Sequence, residues 1–276
     1  MVDQSAQKWL ESAKNWAFQA GEIIRNGRSN GQFQHDYKLG HELVTSVDLA
    51  VDRFLCEQIQ TVFPEHLIFS EESSPDLTLA LNSGVPVWVI DPIDGTVNFA
   101  QGLLHVAVSI AVYYQGYRIV GVVHAPFLEE TYHAVRGGGA WLNDQPISVS
   151  KRSELRNAVV ATGFPYQRDS LPELIQCVAA VLGQCQDIRR NGSAALDLCA
   201  VACGQMDAYY ESVKPWDMAA GALIAEEAGA VVGSFGGQRA QWPTALNGDN
   251  LLVSTPKLFT PLEALLVEAK GLPSQT

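Results

Sequence analysis

The residues of this chain that could do chemistry are mostly carboxylates, and three short segments concentrate them. The sharpest is Asp91-Pro-Ile-Asp-Gly-Thr-Val-Asn-Phe99. It follows the apolar run 85–90, so Asp91 leaves a buried strand at its carboxyl end, where ligands bind in α/β sheets. Asp94 returns within one turn, which can aim both side chains at one point. Pro, Asp and Gly are ordinary turn residues as well, but a surface turn would not begin directly on a buried strand. Upstream, Ser70-Glu-Glu-Ser73 follows the short apolar run 67–69. Alone, such an acidic pair reads as solvated surface. Downstream, Lys214-Pro-Trp-Asp217 opens a helix, where Asp217 opposes the helix dipole whether or not it binds anything else. Trp216 would pack beside it and fix it.

Taken together these are hard oxygen donors at the ends of secondary elements, with no His–Cys geometry among them. Mg²⁺ prefers oxygen donors, keeps several waters and commonly shares them with phosphate. Glu71, Asp91, Asp94 and Asp217, with the carbonyl of Ile93, would hold two such ions. Two-metal sites suit hydrolysis of phosphate esters, one ion making a nucleophile of a water and the other stabilising the leaving oxygen.

The elements that must position these groups follow from periodicity. Trp9, Leu10, Ala13, Trp16, Ala17, Ala20 and Ile24 recur on one face of a helix over 5–28. A second helix spans 45–62, opened by the capping box Thr45-Ser-Val-Asp48 and stopped before Pro64. The polar stretch 26–41 between them reads as a mobile loop or a short hairpin. Strands are expected at 67–69 and 85–90. Two more, at 106–114 and 117–124, flank a Gln115-Gly116 turn, and a pair at 130–135 and 140–142 flanks Gly137-Gly-Gly139. That glycine run lacks the helix and G-K-S/T of a phosphate loop. Beyond Lys151 strands (159–162, 206–210, 230–232, 251–254) alternate with helices (171–182, 193–203, 217–227, 262–269). Ser193 caps one of these helices. The fold class is therefore α/β, α+β in the first half and α/β in the second, with layered sheets and helices. A single catalytic domain over 1–276 is expected, with sub-halves 1–150 and 151–276.

Composition narrows the function classes. The 276 residues carry 18 Lys+Arg against 30 Asp+Glu, a formal charge of −12, which disfavours nucleic acid and anionic membranes as partners. No apolar run approaches the ~20 residues of a spanning helix, and the first sixteen residues lack the basic start and apolar centre of a signal peptide. Five cysteines without a C-x-x-C spacing indicate neither a disulfide framework nor a zinc cluster. Cys199 and Cys203, i and i+4 on a helix, could bind a soft metal but read more simply as small core residues. His105 and His124 read as strand or core residues. A cytoplasmic protein is expected.

The segments Glu71-Glu-Ser73, Asp91-Pro-Ile-Asp-Gly-Thr96 and Trp216-Asp217 closely resemble the inositol monophosphatase family of Mg²⁺-dependent, lithium-sensitive phosphatases. The resemblance extends over nearly the whole chain, including Leu43-Val-Thr-x-x-Asp48, Gly192-Ser-Ala-Ala195 and Glu227-Ala-Gly229. It implies a layered αβαβα sandwich of the sugar-phosphatase type, a homodimer, and two or more Mg²⁺ ions. It also implies roles. Glu71, Asp91, Asp94 and Asp217 match the side-chain metal ligands and Ile93 the carbonyl ligand, while Thr96 with Asp48 matches the pair that activates the water. The amides of Gly95 and Thr96 would receive the phosphate. For Asp48 the capping box is a sufficient structural reason, and for Thr96 so is a hydroxyl capping the helix after Gly95; each can coexist with the functional role.

Gly192, Ser193 and Ala194 match the segment against the organic part of the substrate, and Glu211 matches a glutamate that bonds inositol hydroxyls. Its spacing to Trp216 is one residue shorter than is common in the family. Gln101 stands where relatives often carry histidine, and Lys38 resembles a lysine on a mobile loop near the metals. A solvated loop lysine explains Lys38 equally well.

The family's branches separate at these motifs. The nucleotide-specific branch often reads D-P-L-D-G-T-K-E-F and the histidinol phosphate branch Y-D-F at the last motif; neither fits Asp91–Phe99 or Trp216-Asp-Met218. Hydrolysis of inositol 1-phosphate is therefore expected, with a broader sugar-phosphate activity as the alternative, fructose 1,6-bisphosphate, 3′-phosphoadenosine 5′-phosphate and histidinol phosphate included. A non-enzymatic partner of the transcription machinery is a third reading, and a metal-stabilised but inactive fold a fourth. The apolar first half, with its three tryptophans by position 88, could supply a dimer surface.

Overall fold

The computed structural model describes residues 4–31, 34–38, 42–73, 84–165, 171–237 and 243–272. Helix α1 (Gln4–Ser29) buries the expected stripe from Trp9 to Ile24. A hairpin, β1 (His35–Lys38) and β2 (Glu42–Thr45), leads directly into α2 (Ser46–Val62). Thr45 caps α2 by accepting from the amides of Val47 and Asp48, while the Asp48 carboxylate accepts from the Thr45 amide, so the predicted capping box is formed.

Seven strands follow in one sheet, ordered as in the chain: β3 (Leu67–Ser70), β4 (Val87–Asp94), β5 (Ala107–Tyr114), β6 (Tyr117–Ala125), β7 (Glu130–Val135), β8 (Ala140–Leu142) and β9 (Gln145–Ile147). β3 and β4 are parallel and the rest antiparallel. A short helix, α3 (Thr96–Gln101), leaves the end of β4. At the turn between β5 and β6 both Gln115 and Gly116 have positive φ, as two-residue hairpin turns of matching twist require.

The second sheet is built from β10 (Val159–Thr162), β11 (Asp187–Arg189), β12 (Ala208–Glu211), β13 (Val231–Ser234) and β14 (Leu251–Ser254), in the order β11-β10-β12-β14-β13. Its helices are α4 (Leu171–Leu182), α5 (Ala194–Ala202), α6 (Pro215–Glu227) and α7 (Pro256–Ala269). Three cores define five layers. α1 and α2 pack on one face of the large sheet, α5 and α6 fill the space between the two sheets, and α4 and α7 cover the outer face of the small sheet. The order is αβαβα. β4 is buried along all eight residues because both of its faces are covered: Val87 and Val89 face α5 and α6, Trp88 and Ile90 face α1 and α2.

Several expectations need correction. Trp9, Trp16 and Trp88 are interior, Trp9 against His66 and Tyr114 and the other two against Phe63, so these three rings themselves are not part of a dimer surface. His105 precedes β5 rather than lying in it. α7 begins at Pro256, six residues earlier than its apolar pattern suggested, with Pro261 accommodated inside it. β9 and β11 are three-residue edge strands of mixed polarity, without the alternation that marks a strand in sequence. Of the stretch 26–41, residues 26–29 belong to α1 and 35–38 form β1, paired antiparallel with β2, while 32–33 and 39–41 lie outside the described residues. No helix among the described residues is long and apolar enough to cross a membrane, and the five cysteines are free thiols.

The central helices sit so close to the large sheet that β6 has no room for a side chain at Gly121. A Cβ there would lie 2.7 Å from the Ala220 carbonyl oxygen on α6, a backbone atom that cannot swing away. Gly121→Ala should therefore destabilise the fold by about 1–3 kcal/mol through overpacking, read as a lower urea midpoint.

Candidate active site

The carboxylates meet where β3 and β4 end and where α3, α5 and α6 begin. In a regular strand, residues three apart point to opposite faces. Asp91 pairs with Ser109, however, and Asp94 with Ala107, so β4 carries one extra residue at this point. The bulge shifts the phase. Ile93 turns into the core under α1 and α2, and Asp94 emerges on the same face as Asp91. There Asp94 Oδ2 accepts from the Ser193 hydroxyl at 2.6 Å and the Ala195 amide at 2.7 Å, which ties the end of β4 to the start of α5.

Gly95 completes the bend with φ +96, and a Cβ would meet the His105 carbonyl at 2.7 Å, so only glycine serves there. Thr96, first residue of α3, is not the cap of that helix as expected; Gly95 occupies the cap position. The Thr96 hydroxyl lies instead 2.9 Å from Asp48 Oδ1 and 3.1 Å from the Ile93 carbonyl, and its single proton can serve either acceptor. Asp48 thus closes the cap of α2 and reaches Thr96 at the same time.

Glu71 follows β3, its amide donating to the Ile90 carbonyl at 3.1 Å. Asp217, in the first turn of α6, accepts from the Lys214 amide at 2.7 Å, and Trp216 packs against Phe69 with ring centroids 5.2 Å apart. Asp91 lies next to Glu71 and Asp217, close enough for each neighbour to alter its proton affinity. Burial, followed by the charges of Glu71, Asp94 and Asp217, holds Asp91 protonated far above the usual carboxylate range. Asp94 and Asp217 are raised too, first by burial. Asp48 is raised by burial against the opposing pull of the Thr45 and Thr96 hydroxyls.

Among the described residues no three His, Cys, Asp or Glu side chains are already arranged around one ion-sized point. The donor set nevertheless fits a hard divalent cation. Asp91 Oδ1 is buried with no hydrogen-bond partner and has the charges of Glu71, Asp94 and Asp217 around it, a setting that a positive charge would relieve.

The remaining predicted residues form a second side of the site. Gly192 and Ser193 precede α5, with Ser193 capping it through the Leu196 amide at 3.3 Å and Ala194 as its first residue. Glu211 ends β12, accepts from the Tyr209 hydroxyl at 2.6 Å, and lies against Gly163, where a Cβ would come within 1.9 Å of its Oε2. Burial pushes Glu211 up to about 7, against the Tyr209 bond and the Arg190 charge. Glu211 also adds to the electrostatic pressure on Asp217, so the shorter spacing to Trp216 leaves it within range of the carboxylate cluster.

Sequence reasoning assigned no role to Asp197, Asn191 or Asn98. Asn98 Nδ2 donates to the carbonyls of His105 and Asn191, each at 2.7 Å, and Asn191 Nδ2 donates to Asp197 at 2.7 Å. Asp197 is pushed up to about 8, chiefly by burial. Asn98 lay within the Asp91–Phe99 segment, the one signal that could have drawn attention to it. Gln101 is exposed at the end of α3; Lys38 lies in β1, its side chain outside the described residues.

The chain belongs to the inositol monophosphatase family, whose profile matches residues 5–270. It is 40% identical over 252 residues to the Nus factor SuhB of Pasteurella multocida strain Pm70, covering 90% of this chain and 92% of that protein. Among solved structures, an IMPase from Thermotoga maritima superposes with a TM-score of 0.84 at 30% identity, covering 95% of this chain and 98% of the other. A Staphylococcus aureus IMPase-II bound to inositol monophosphate gives 0.78 at 28%, covering 94% of each.

Carboxyls that bind protons more tightly folded than unfolded stabilise the fold on the acid side of their unfolded value, about 4, and lose that contribution as pH rises through the raised value. Without divalent cations, Asp91→Asn should therefore melt higher than wild type, by a margin larger at about pH 8 than at about pH 5. Using the difference between the two proteins cancels the buried histidines, His124 above all, whose lowered values act in the opposite direction. Added Mg²⁺ should close the gap by stabilising wild type alone, as read by differential scanning fluorimetry.

Proposed function

We propose that the chain is a Mg²⁺-dependent phosphomonoesterase that hydrolyses inositol 1-phosphate (myo-inositol monophosphate) to inositol and phosphate. The observation that carries this reading is the buried, unpartnered Asp91 Oδ1, whose proton affinity is raised by burial and by the surrounding charges of Glu71, Asp94 and Asp217. Glu71, Asp91, Asp94, Asp217 and the Ile93 carbonyl would hold the cation. Bound there, Mg²⁺ supplies charge to the phosphoryl oxygens and acidifies a water.

The chain's own groups do the rest. With the Thr96 proton directed to Asp48 Oδ1, the hydroxyl oxygen keeps lone pairs to orient the attacking water, and Asp48 takes up the proton. The Gly95 and Thr96 amides lie beside the carboxylates to meet the phosphate. Through Asp94, Ser193 and Ala195 the carboxylate end is fixed to the loop Gly192–Ala194, so phosphate and polyol are held in one frame. Glu211 accepts from polyol hydroxyls. A homodimer belongs to the same reading, with a surface other than the interior tryptophans.

A second reading, partnership with the transcription machinery, is favoured by the Nus factor name of the relatives. It would not require direct nucleic-acid contact, which the −12 charge disfavours. Asp94→Asn separates the two: loss of a cellular phenotype supports the enzyme, and survival supports the partner.

The direct test is phosphate release with Mg²⁺ from inositol 1-phosphate, fructose 1,6-bisphosphate, 3′-phosphoadenosine 5′-phosphate and histidinol phosphate, with and without lithium. Inositol 1-phosphate should be preferred and its turnover blocked by lithium. Asp91→Asn should lower that turnover by more than about a hundredfold while the protein stays folded, because the charge stabilisation it anchors is lost. Retained turnover at high Mg²⁺ would sink the ligand assignment. Gly163→Ala, which pushes the Glu211 carboxylate aside, should raise KM for inositol 1-phosphate and leave KM for p-nitrophenyl phosphate, which has no polyol, unchanged.

A further inference from the structure

Asp52 has no part in the chemistry above, yet it is a buried carboxylate on α2, one turn beyond Asp48. Its Oδ1 collects three donors: the Ser70 hydroxyl at 2.5 Å, the Ser73 hydroxyl at 3.4 Å and the Cys56 thiol at 3.8 Å. Two of these come from the residues that bracket Glu71-Glu72. Ser70 is the last residue of β3 and wholly buried; Ser73 is the last described residue before 74–83. Beyond Ser70 the β3–β4 register ends, and one further backbone bond, Glu71 amide to Ile90 carbonyl, continues it. Residues 71–73 adopt no regular structure.

We infer that Asp52 is a positioning residue for Glu71: one carboxylate on α2 grips the hydroxyls on both sides of the Glu71-Glu72 pair and holds that irregular segment to the helix carrying Asp48. The reasoning is geometric. Strands end where their ladder ends, and a ligand placed just beyond needs an outside anchor to be held within a few tenths of an ångström. The Ser70 bond at 2.5 Å has the length of a charge-assisted hydrogen bond, stronger than a neutral one, and the Ser73 hydroxyl at 3.4 Å adds a longer, weaker contact to the same oxygen from the other end of the four-residue segment. α2 is rigid and already fixes Asp48 through its cap, so Glu71 and the Asp48–Thr96 pair share one reference element. The inference rests on the proposed cation site and adds to it a residue that touches neither cation nor substrate.

The test compares wild type with Asp52→Ala, Asp52→Asn, Ser70→Ala and the Asp52→Ala/Ser70→Ala double variant. Mg²⁺ is titrated without substrate, by calorimetry and by the thermal shift, and then in phosphate release. Asp52→Ala should weaken Mg²⁺ affinity by about tenfold or more, the usual effect of losing a group that orients a ligand. At saturating Mg²⁺ its KM should equal that of wild type. Asp52→Asn, whose amide oxygen still accepts from both serines, should restore most of the affinity, and the double variant should be no worse than the worse single one.

Unchanged Mg²⁺ affinity in a folded Asp52→Ala overturns the inference, as does an Asn variant as poor as Ala. If Asp52→Ala does not fold, Ser70→Ala and Asp52→Asn decide the matter in the same way: weakened Mg²⁺ binding in the first with near-normal binding in the second supports the inference, and normal binding in both overturns it. Wild type that shows no Mg²⁺ response in either titration removes the cation site and the inference with it. A Mg²⁺ response unaffected by Asp52→Ala removes the inference alone.

Discussion

Buried negative charges repel, and the fold around this site is arranged to hold several of them together. Glu71, Asp91, Asp94 and Asp217 would each be better solvated in water, and burial raises the proton affinity of at least three of them. Three separate elements, β3, β4 and α6, are required to bring them together, so no one of them can relax without disturbing the others. The protein offsets part of the repulsion locally. The first turn of α5 donates to Asp94, the Lys214 amide to Asp217, and the Thr45 cap to Asp48, so three acids lie where helix N-termini favour negative charge. Asp91 receives no such help at Oδ1. The atom left uncompensated at the centre is the one a cation would satisfy.

That arrangement depends on a single extra residue in β4. Without the bulge, Asp91 and Asp94 would face opposite sides of the sheet, one toward α5 and α6 and the other toward α1 and α2. Pro92 has no amide to leave unpaired in the bulge. The same shift drives Ile93 inward and leaves its carbonyl beside the Thr96 hydroxyl. One backbone irregularity thus sets the positions of two carboxylates, a carbonyl and the hydroxyl that Asp48 holds.

The opposite side of the site is organised by side-chain amides rather than by charge. Asn98, on α3, grips the carbonyls of His105 and Asn191, and Asn191 in turn grips Asp197 on α5. The short helix that follows the carboxylates and the loop that would meet the organic group are therefore one hydrogen-bonded unit. Glu211 stands apart on β12, held by Tyr209 from its own strand and given room by the absence of a side chain at Gly163.

Most elements were legible from pattern: the strands 159–162 and 251–254, the helix 171–182, the stripe of α1, and the capping box at Thr45 all occur as read. Those signals are local, set by periodicity and by bonds within four residues, so neighbouring sequence suffices to specify them. The short edge strands β9 and β11 were missed because pairing with a neighbour, not their own residues, makes them strands. The tryptophans show the same limit in another form. Their apolarity was plain, but whether an apolar face meets a partner or the chain's own sheet depends on where that sheet lies. For the site, sequence alone determined which acids belong together and that oxygen donors would serve. It could not show that a bulge aligns Asp91 with Asp94, that Asp52 grips both flanks of Glu71, or that Asn98 joins two loops. Those are contacts between residues from 3 to 93 positions apart, and only the packed sheets and helices decide which distant groups share a hydrogen bond.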